Sequence, residues 1–169
     1  MGVYTGSPAL PLLLAGDIPN AASDWAAILA ELNALSTAWT TWSPTLANLT
    51  LGNGSVSAKY RQVGKTVNYR FKFTLGSTSA VGTGPTFTLP VAPDGSFYAA
   101  DDSIGIFTGI DAATNSYPGV VLLVSGSTIR MKVYNAAGTY VLAADITSTV
   151  PFTWGSGDIL LAEGLYTIA

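Results

Sequence analysis

Apolar residues along this chain change their spacing once, near residue 40. Before that point Trp25, Ile28, Leu32, Leu35 and Trp39 recur at steps of three and four, the a/d seam of a coiled coil. A stripe that narrow suits pairing with copies of itself better than burial in a globular core. The spacing predicts one short amphipathic helix over residues 21–38. Asn20 or Ser23 can cap its start, Asp24 lies in the first turn where the helix dipole favours negative charge, and Thr40, Thr41 and Pro44 end it. At about 27 Å long, such a helix is marginal alone in water. It needs copies of itself or, as the alternative, the side of a β-domain.

From Trp42 onward the period becomes two. Val56, Ala58, Tyr60 and Gln62 alternate with Ser57, Lys59 and Arg61, and after Gly64-Lys65 the chain resumes with Val67, Tyr69, Phe71, Phe73 and Leu75 on one face. A two-residue turn at Gly64-Lys65 sets Val63 against Thr66. Tyr60 then faces Tyr69, Ala58 faces Phe71 and Val56 faces Phe73, and only Gln62 with Val67 breaks the apolar match. Further strands are predicted at 45–51, 86–91, 103–110, 119–124, 128–134, 139–143 and 158–168. Turn-formers such as Gly52-Asn53-Gly54, Pro93-Asp94-Gly95 and Ser125-Gly126-Ser127 separate them. Nine or so short strands without intervening helices predict a mainly β fold, a jelly-roll-like antiparallel β-sandwich over residues 39–169.

Residues 1–20 carry Pro8, Pro11 and Pro19, which disfavour helix, together with Tyr4, Leu10, Leu12, Leu13 and Leu14, which a solvated tail would not keep. They read as an extended anchoring arm, docked either on another protein or back on its own or a sister subunit. The longest apolar run, residues 9–15, is broken by Pro11 and is too short to span a bilayer. Residues 1–8 hold no Lys or Arg for a secretory leader, and Gly6 breaks the myristoylation pattern. No membrane partner and no export of its own are expected.

Composition narrows the chemistry. The 169 residues are 10 % charged with a net charge of −3, so the field of the whole chain repels nucleic acid. There is no Cys, hence no disulfide and no thiol nucleophile, and no His, which removes the usual general base and the commonest metal ligand. A glycan-degrading enzyme needs only two carboxylates, so Asp101, Asp102, Asp111, Asp158 and Glu163 are the residues to consider. Asp101 and Asp102 are adjacent and would point to opposite faces of a strand, a poor start for a shared site. No spaced calcium-ligand run appears, and no metal or cofactor is expected. Asn48-Leu49-Thr50 and Asn53-Gly54-Ser55 fit the N-glycosylation pattern but read as strand and turn residues.

Charge is unevenly placed. Lys59, Arg61, Lys65, Arg70 and Lys72, five of seven basic residues, lie on or beside the one hairpin. Its register opposes Lys59 and Arg70 on the outward face, which is unfavourable unless an anion covers them. A carboxylate of a neighbouring subunit or an acidic surface polymer would serve. Tyr98, Tyr117, Tyr134 and Tyr140 near turns are further candidates for stacking on sugars.

Three phrases carry a family resemblance: Trp39-Thr40-Thr41-Trp42-Ser43-Pro44-Thr45-Leu46; Leu51-Gly52-Asn53-Gly54-Ser55-Val56 with Tyr60-Arg61-Gln62-Val63-Gly64-Lys65-Thr66-Val67; and Val150-Pro151-Phe152-Thr153-Trp154-Gly155-Ser156-Gly157-Asp158. Together with Ala15-Gly16-Asp17-Ile18-Pro19-Asn20-Ala21-Ala22 before the helix, the chain resembles tail-associated proteins of tailed bacteriophages, especially of actinobacterial hosts. The resemblance implies a virion protein with a trimeric β-sandwich head, attached to the particle through its N-terminal region, and it carries over no active-site residues. The expected function is that of a non-enzymatic homotrimer on the particle surface. It would touch other virion proteins through the arm and a host cell-surface glycan through the head. With only about two heptads of stalk, a capsid-decorating or head-fibre protein is the alternative, and a glycan-degrading enzyme is the alternative of another class.

Overall fold

The structure is a computed structural model that describes residues 26, 28–30, 33, 38–112 and 114–169. The chain divides into two units, Met1–Ser36 and Thr37–Ala169. In the first, Ala26, Ile28, Leu29, Ala30 and Asn33 have helical backbone and exposed side chains. The arm residues Tyr4, Leu10, Leu12, Leu13 and Leu14, and the seam residues Trp25, Leu32 and Leu35, lie outside the described residues.

The second unit is antiparallel β throughout. Its strands are β1 (Thr40–Thr41), β2 (Leu46–Thr50), β3 (Ser55–Val63), β4 (Thr66–Thr74), β5 (Ala80–Thr88), β6 (Ser103–Ile110), β7 (Ser116–Ser125), β8 (Thr128–Asn135), β9 (Leu142–Asp145) and β10 (Ile159–Thr167). They form one sheet in the order β1-β3-β4-β10-β6-β7-β8-β5-β2, with β9 also paired to β8. Four strands separate β4 from β5 in that order, yet Phe71 of β4 stacks on Phe87 of β5 with ring centroids 4.0 Å apart. A flat sheet would hold those strands roughly 24 Å apart. The sheet therefore curls, and its concave side becomes the core.

Alternation decides what fills that core. Val67, Tyr69, Phe71 and Phe73 all point inward and are almost wholly buried, as are Leu160, Ala162 and Tyr166 of β10 and Ile129, Met131 and Val133 of β8. The predicted hairpin register is found at every position from Val63↔Thr66 to Val56↔Phe73. Gly64 takes the left-handed φ of +57° that a two-residue turn with glycine at its first central position requires.

The sheet's two edges are tied by four residues. Trp42 N–H donates to the Ala58 carbonyl at 3.1 Å on the β3 side, and its indole Nε1–H donates to the Thr88 carbonyl at 3.0 Å on the β5 side. Thr45 N–H completes the tie by donating to Thr88 Oγ1 at 2.9 Å. Residues 40 and 41, expected only to end the helix, form β1 and pair with Tyr60 and Lys59.

Strand 86–91 was expected too late and too short: β5 starts at Ala80. Gly82, Gly84 and Pro85 look like breakers, but they lie in the part of β5 that β8 does not pair, since β8 meets β5 only from Thr86 to Thr88. Asn48, at φ +55°, bulges β2 and donates from Nδ2 to the Thr83 carbonyl at 2.8 Å, while Gly84 N–H bonds the Ile146 carbonyl. Pro85, which has no N–H to donate, comes just before the Thr86–Thr88 stretch that pairs with β8, where β5 has no ladder partner on that side. Similarly, β7 spans Ser116–Ser125 rather than 119–124, and β9 is Leu142–Asp145 rather than 139–143.

Candidate functional site

The outward sides of β3, β4, β10 and β6 build one surface. Register places Lys59, Arg70, Glu163 and Ile106 in one row across the four strands, and Arg61, Asn68 and Leu165 in the next. Lys72 stands one row further out, beside Ser57 and Leu161. The same alternation that buries Tyr69, Phe71 and Phe73 dictates this, since each intervening residue must face away from the core.

Lys59 and Arg70 are opposed, as the hairpin predicts, and a carboxylate of the same chain approaches Arg70. Glu163 Oε2 lies 3.5 Å from Arg70 Nε, with the two side chains 44 % and 61 % exposed. The hairpin alone could not reveal it, because Glu163 of β10 and Arg70 of β4 meet only through a pairing of residues 93 apart in the chain. An ion pair this exposed contributes little.

A shallow groove of about 450 Å³ lies over these rows, lined by Trp39, Asn68, Tyr69, Arg70, Gly105, Ile106, Glu163, Gly164 and Leu165. Its low floor depends on two glycines. A Cβ on Gly105 would come within 2.5 Å of the Tyr69 hydroxyl and the Glu163 carbonyl, and one on Gly164 would collide with the Ile104 carbonyl. Tyr69 itself is buried and donates from its hydroxyl to the Ile104 carbonyl at 3.3 Å. Burial, reinforced by Tyr166 and Glu163, pushes its phenol far above the ordinary range, so it stays a neutral donor at any working pH.

Trp39, numerically the last seam position, belongs to the β unit and has no helical backbone. It is 47 % exposed, and the Arg61 guanidinium sits 5.9 Å from its ring centroid, a cation–π distance. Ile106 and Leu165 are 58 % and 57 % exposed. The groove therefore joins an aromatic ring and two aliphatic side chains to donors on Arg70 and Asn68 and an acceptor on Glu163. Ile28, the other described seam residue, is helical and 47 % exposed in the first unit.

The remaining candidates have other places. Asp101 pairs with Arg130 at 2.8 Å, and Asp102 accepts from Ala99 N–H at 2.8 Å. Asp158 is buried and accepts from Gly155 N–H at 2.6 Å and Ala112 N–H at 3.0 Å, holding the loop ahead of β10. Asp111 sits at the β6–β7 turn, where its backbone bonds Asn115 and Thr114. Glu163 is on the sheet face, so these five carboxylates are spread over several elements. Lys65, at the hairpin tip, lies near Asp94, whose carboxyl is held below its ordinary value first by hydrogen bonds from Ser96 and then by Lys65. Among the described residues no group of three acidic side chains could hold a metal ion.

The tyrosines split. Tyr98 and Tyr117 pack against the core, whereas Tyr134 and Tyr140 are 47 % and 79 % exposed. Asn68, Ile106 and Leu165 were not singled out from sequence. The available signal was apolar residues at outward positions: Ile159, Leu161 and Leu165 of β10 break the apolar-in, polar-out rule. No family model, curated protein or solved structure matches this chain.

Proposed function

We propose that the chain is a non-enzymatic structural protein of a tailed-phage particle. It is a homotrimer in which residues 1–20 anchor to other virion proteins, the helix over 21–38 sets the threefold register, and the β-unit is a jelly-roll-like head displayed at the particle surface. The protein is tail-associated, and the outward groove contacts a host cell-surface glycan.

The observation that carries this reading is the mixed chemistry of the groove. A sugar ring offers an apolar C–H face and a rim of hydroxyls that both donate and accept. Trp39, Ile106 and Leu165 match the first, and Arg70, Asn68 and Glu163 match the second. The groove is shallow, so one copy binds weakly and three linked copies raise the avidity. The phage placement is supported by the sequence phrases at Trp39, Leu51 and Val150. The stalk is supported by Ile28 and Leu29, apolar helical residues 47 % and 55 % exposed on a single chain.

Light-scattering mass of the intact protein tests the assembly: three times the 17.4 kDa of one chain is expected. Ile28→Asp is expected to lower that mass, and a monomeric intact chain rules out the stalk. Co-sedimentation with purified tails but not with capsids tests the location, and binding to capsids alone would move the protein to the shell.

A further inference from the structure

The basic residues of the chain are divided in a telling way. Arg130 and Lys132 are each held by a carboxylate, Asp101 at 2.8 Å and Asp145 at 3.1 Å. The other five lie on the β3–β4 hairpin, where Arg70 alone has an ion pair among the described residues, the exposed one to Glu163. Lys59 and Arg61 point outward two residues apart on β3, and so do Arg70 and Lys72 on β4. Strand geometry sets such neighbours about 7 Å apart along a strand and about 5 Å across, giving a cationic stripe roughly 14 Å long. It lies on a chain whose net charge is −3, so the acidic excess is elsewhere.

Opposed like charges on a sheet are unfavourable, and a half-exposed carboxylate relieves little of that. A surface that keeps them on a rigid face, beside a groove, is matched to an anion supplied from outside. We propose that the groove takes an anionic polysaccharide, its acid groups over the stripe and its hydroxyls reaching Asn68 and Glu163. The Trp39 ring offers the apolar contact for a sugar face. This rests on the groove being the glycan site, and it names the class of glycan. Double-stranded DNA fits less well, because its backbone offers no hydroxyl to donate to Glu163, which flanks the stripe beside Arg70.

The test is titration calorimetry of the intact protein with polygalacturonate, poly(glycerol phosphate), dextran and double-stranded DNA. At about 50 mM salt one or both anionic polyhydroxyl polymers are expected to bind, and which one distinguishes a carboxylate from a phosphate as the acid group. Raising salt to about 500 mM should weaken that binding tenfold or more, by screening. The Lys59→Gln/Arg61→Gln variant should lose about tenfold in affinity and part of the salt dependence, whereas Lys132→Gln, outside the stripe, should leave both unchanged. Dextran binding as tightly, independent of salt, would overturn the anionic preference while leaving a glycan site. DNA binding as tightly would overturn it in favour of unselective polyanion capture. Binding of none of the four would overturn both the inference and the glycan reading.

Discussion

Two parts of the outward sheet face are built alike and charged differently. On β7, β8 and β9, inward Val121, Leu123, Ile129 and Met131 alternate with outward Arg130 and Lys132, and each cation is matched by a carboxylate. Outward Val120 is only 9 % exposed there, and the Lys132 side chain 18 %. On β3, β4 and β10 the same alternation leaves Lys59, Arg70 and Lys72 standing in solvent, with Ile106 and Leu165 more than half exposed beside them. Both faces rest on one core, so folding alone does not require the second arrangement. A protein that pairs its charges in one place and leaves them opposed in another has kept the second place free for something else.

The largest effect comes from the shared support. Phe71→Ala removes the ring stacked on Phe87 and is expected to lower stability by about 3–5 kcal/mol, read as a shift in the urea midpoint. Such a variant should blur both faces together. Alkali should act next, and first under the cationic face. Tyr69 and Tyr166 have phenol groups pushed above their unfolded value of 10.0 by burial. The stability they supply is complete below that value and is lost as pH climbs beyond it toward their folded values. Unfolding above about pH 10, with tyrosinate absorbance appearing in the same transition, is the expected result. A tyrosinate step in the unfolding transition that is undiminished in Tyr69→Phe would contradict the burial of that ring.

Two substitutions then sharpen the contrast directly. Lys132→Met breaks the pair with Asp145 and should lower stability by about 0.5–1 kcal/mol. Lys59→Met relieves the repulsion with Arg70 and should raise stability by about 0.2–0.5 kcal/mol, a gain that shrinks as salt is added. Equal losses from both would mean the two faces do the same structural work.

The hairpin was legible from sequence because everything that fixes it is local: alternation on both sides of Gly64-Lys65 leaves one register that buries the aromatics. The long-range parts were not. Nothing near Glu163 announces that β10 lies against β4, and nothing near Trp42 announces that residues 42–45 tie the two edges of the sheet. The first half of β5 was hidden by Gly82, Gly84 and Pro85, whose breaking character matters less where β8 does not pair with the strand. The cations of the hairpin were readable as a cluster, but the apolar Ile106 and Leu165 of the groove were not. Trp39 continues the three-four spacing of the helix and was assigned to the seam, whereas its ring lies against Arg61 at the groove. Glu163 stood among the carboxylates considered for catalysis and turned out to be the residue facing Arg70.

The most direct measurement combines stability and binding in one variant. A stripe kept charged for a ligand predicts that Lys59→Gln/Arg61→Gln loses about tenfold in affinity for an anionic polysaccharide while its urea midpoint stays level or rises. A lower midpoint with polysaccharide affinity unchanged would contradict it, and would make the stripe part of the fold and not a binding surface.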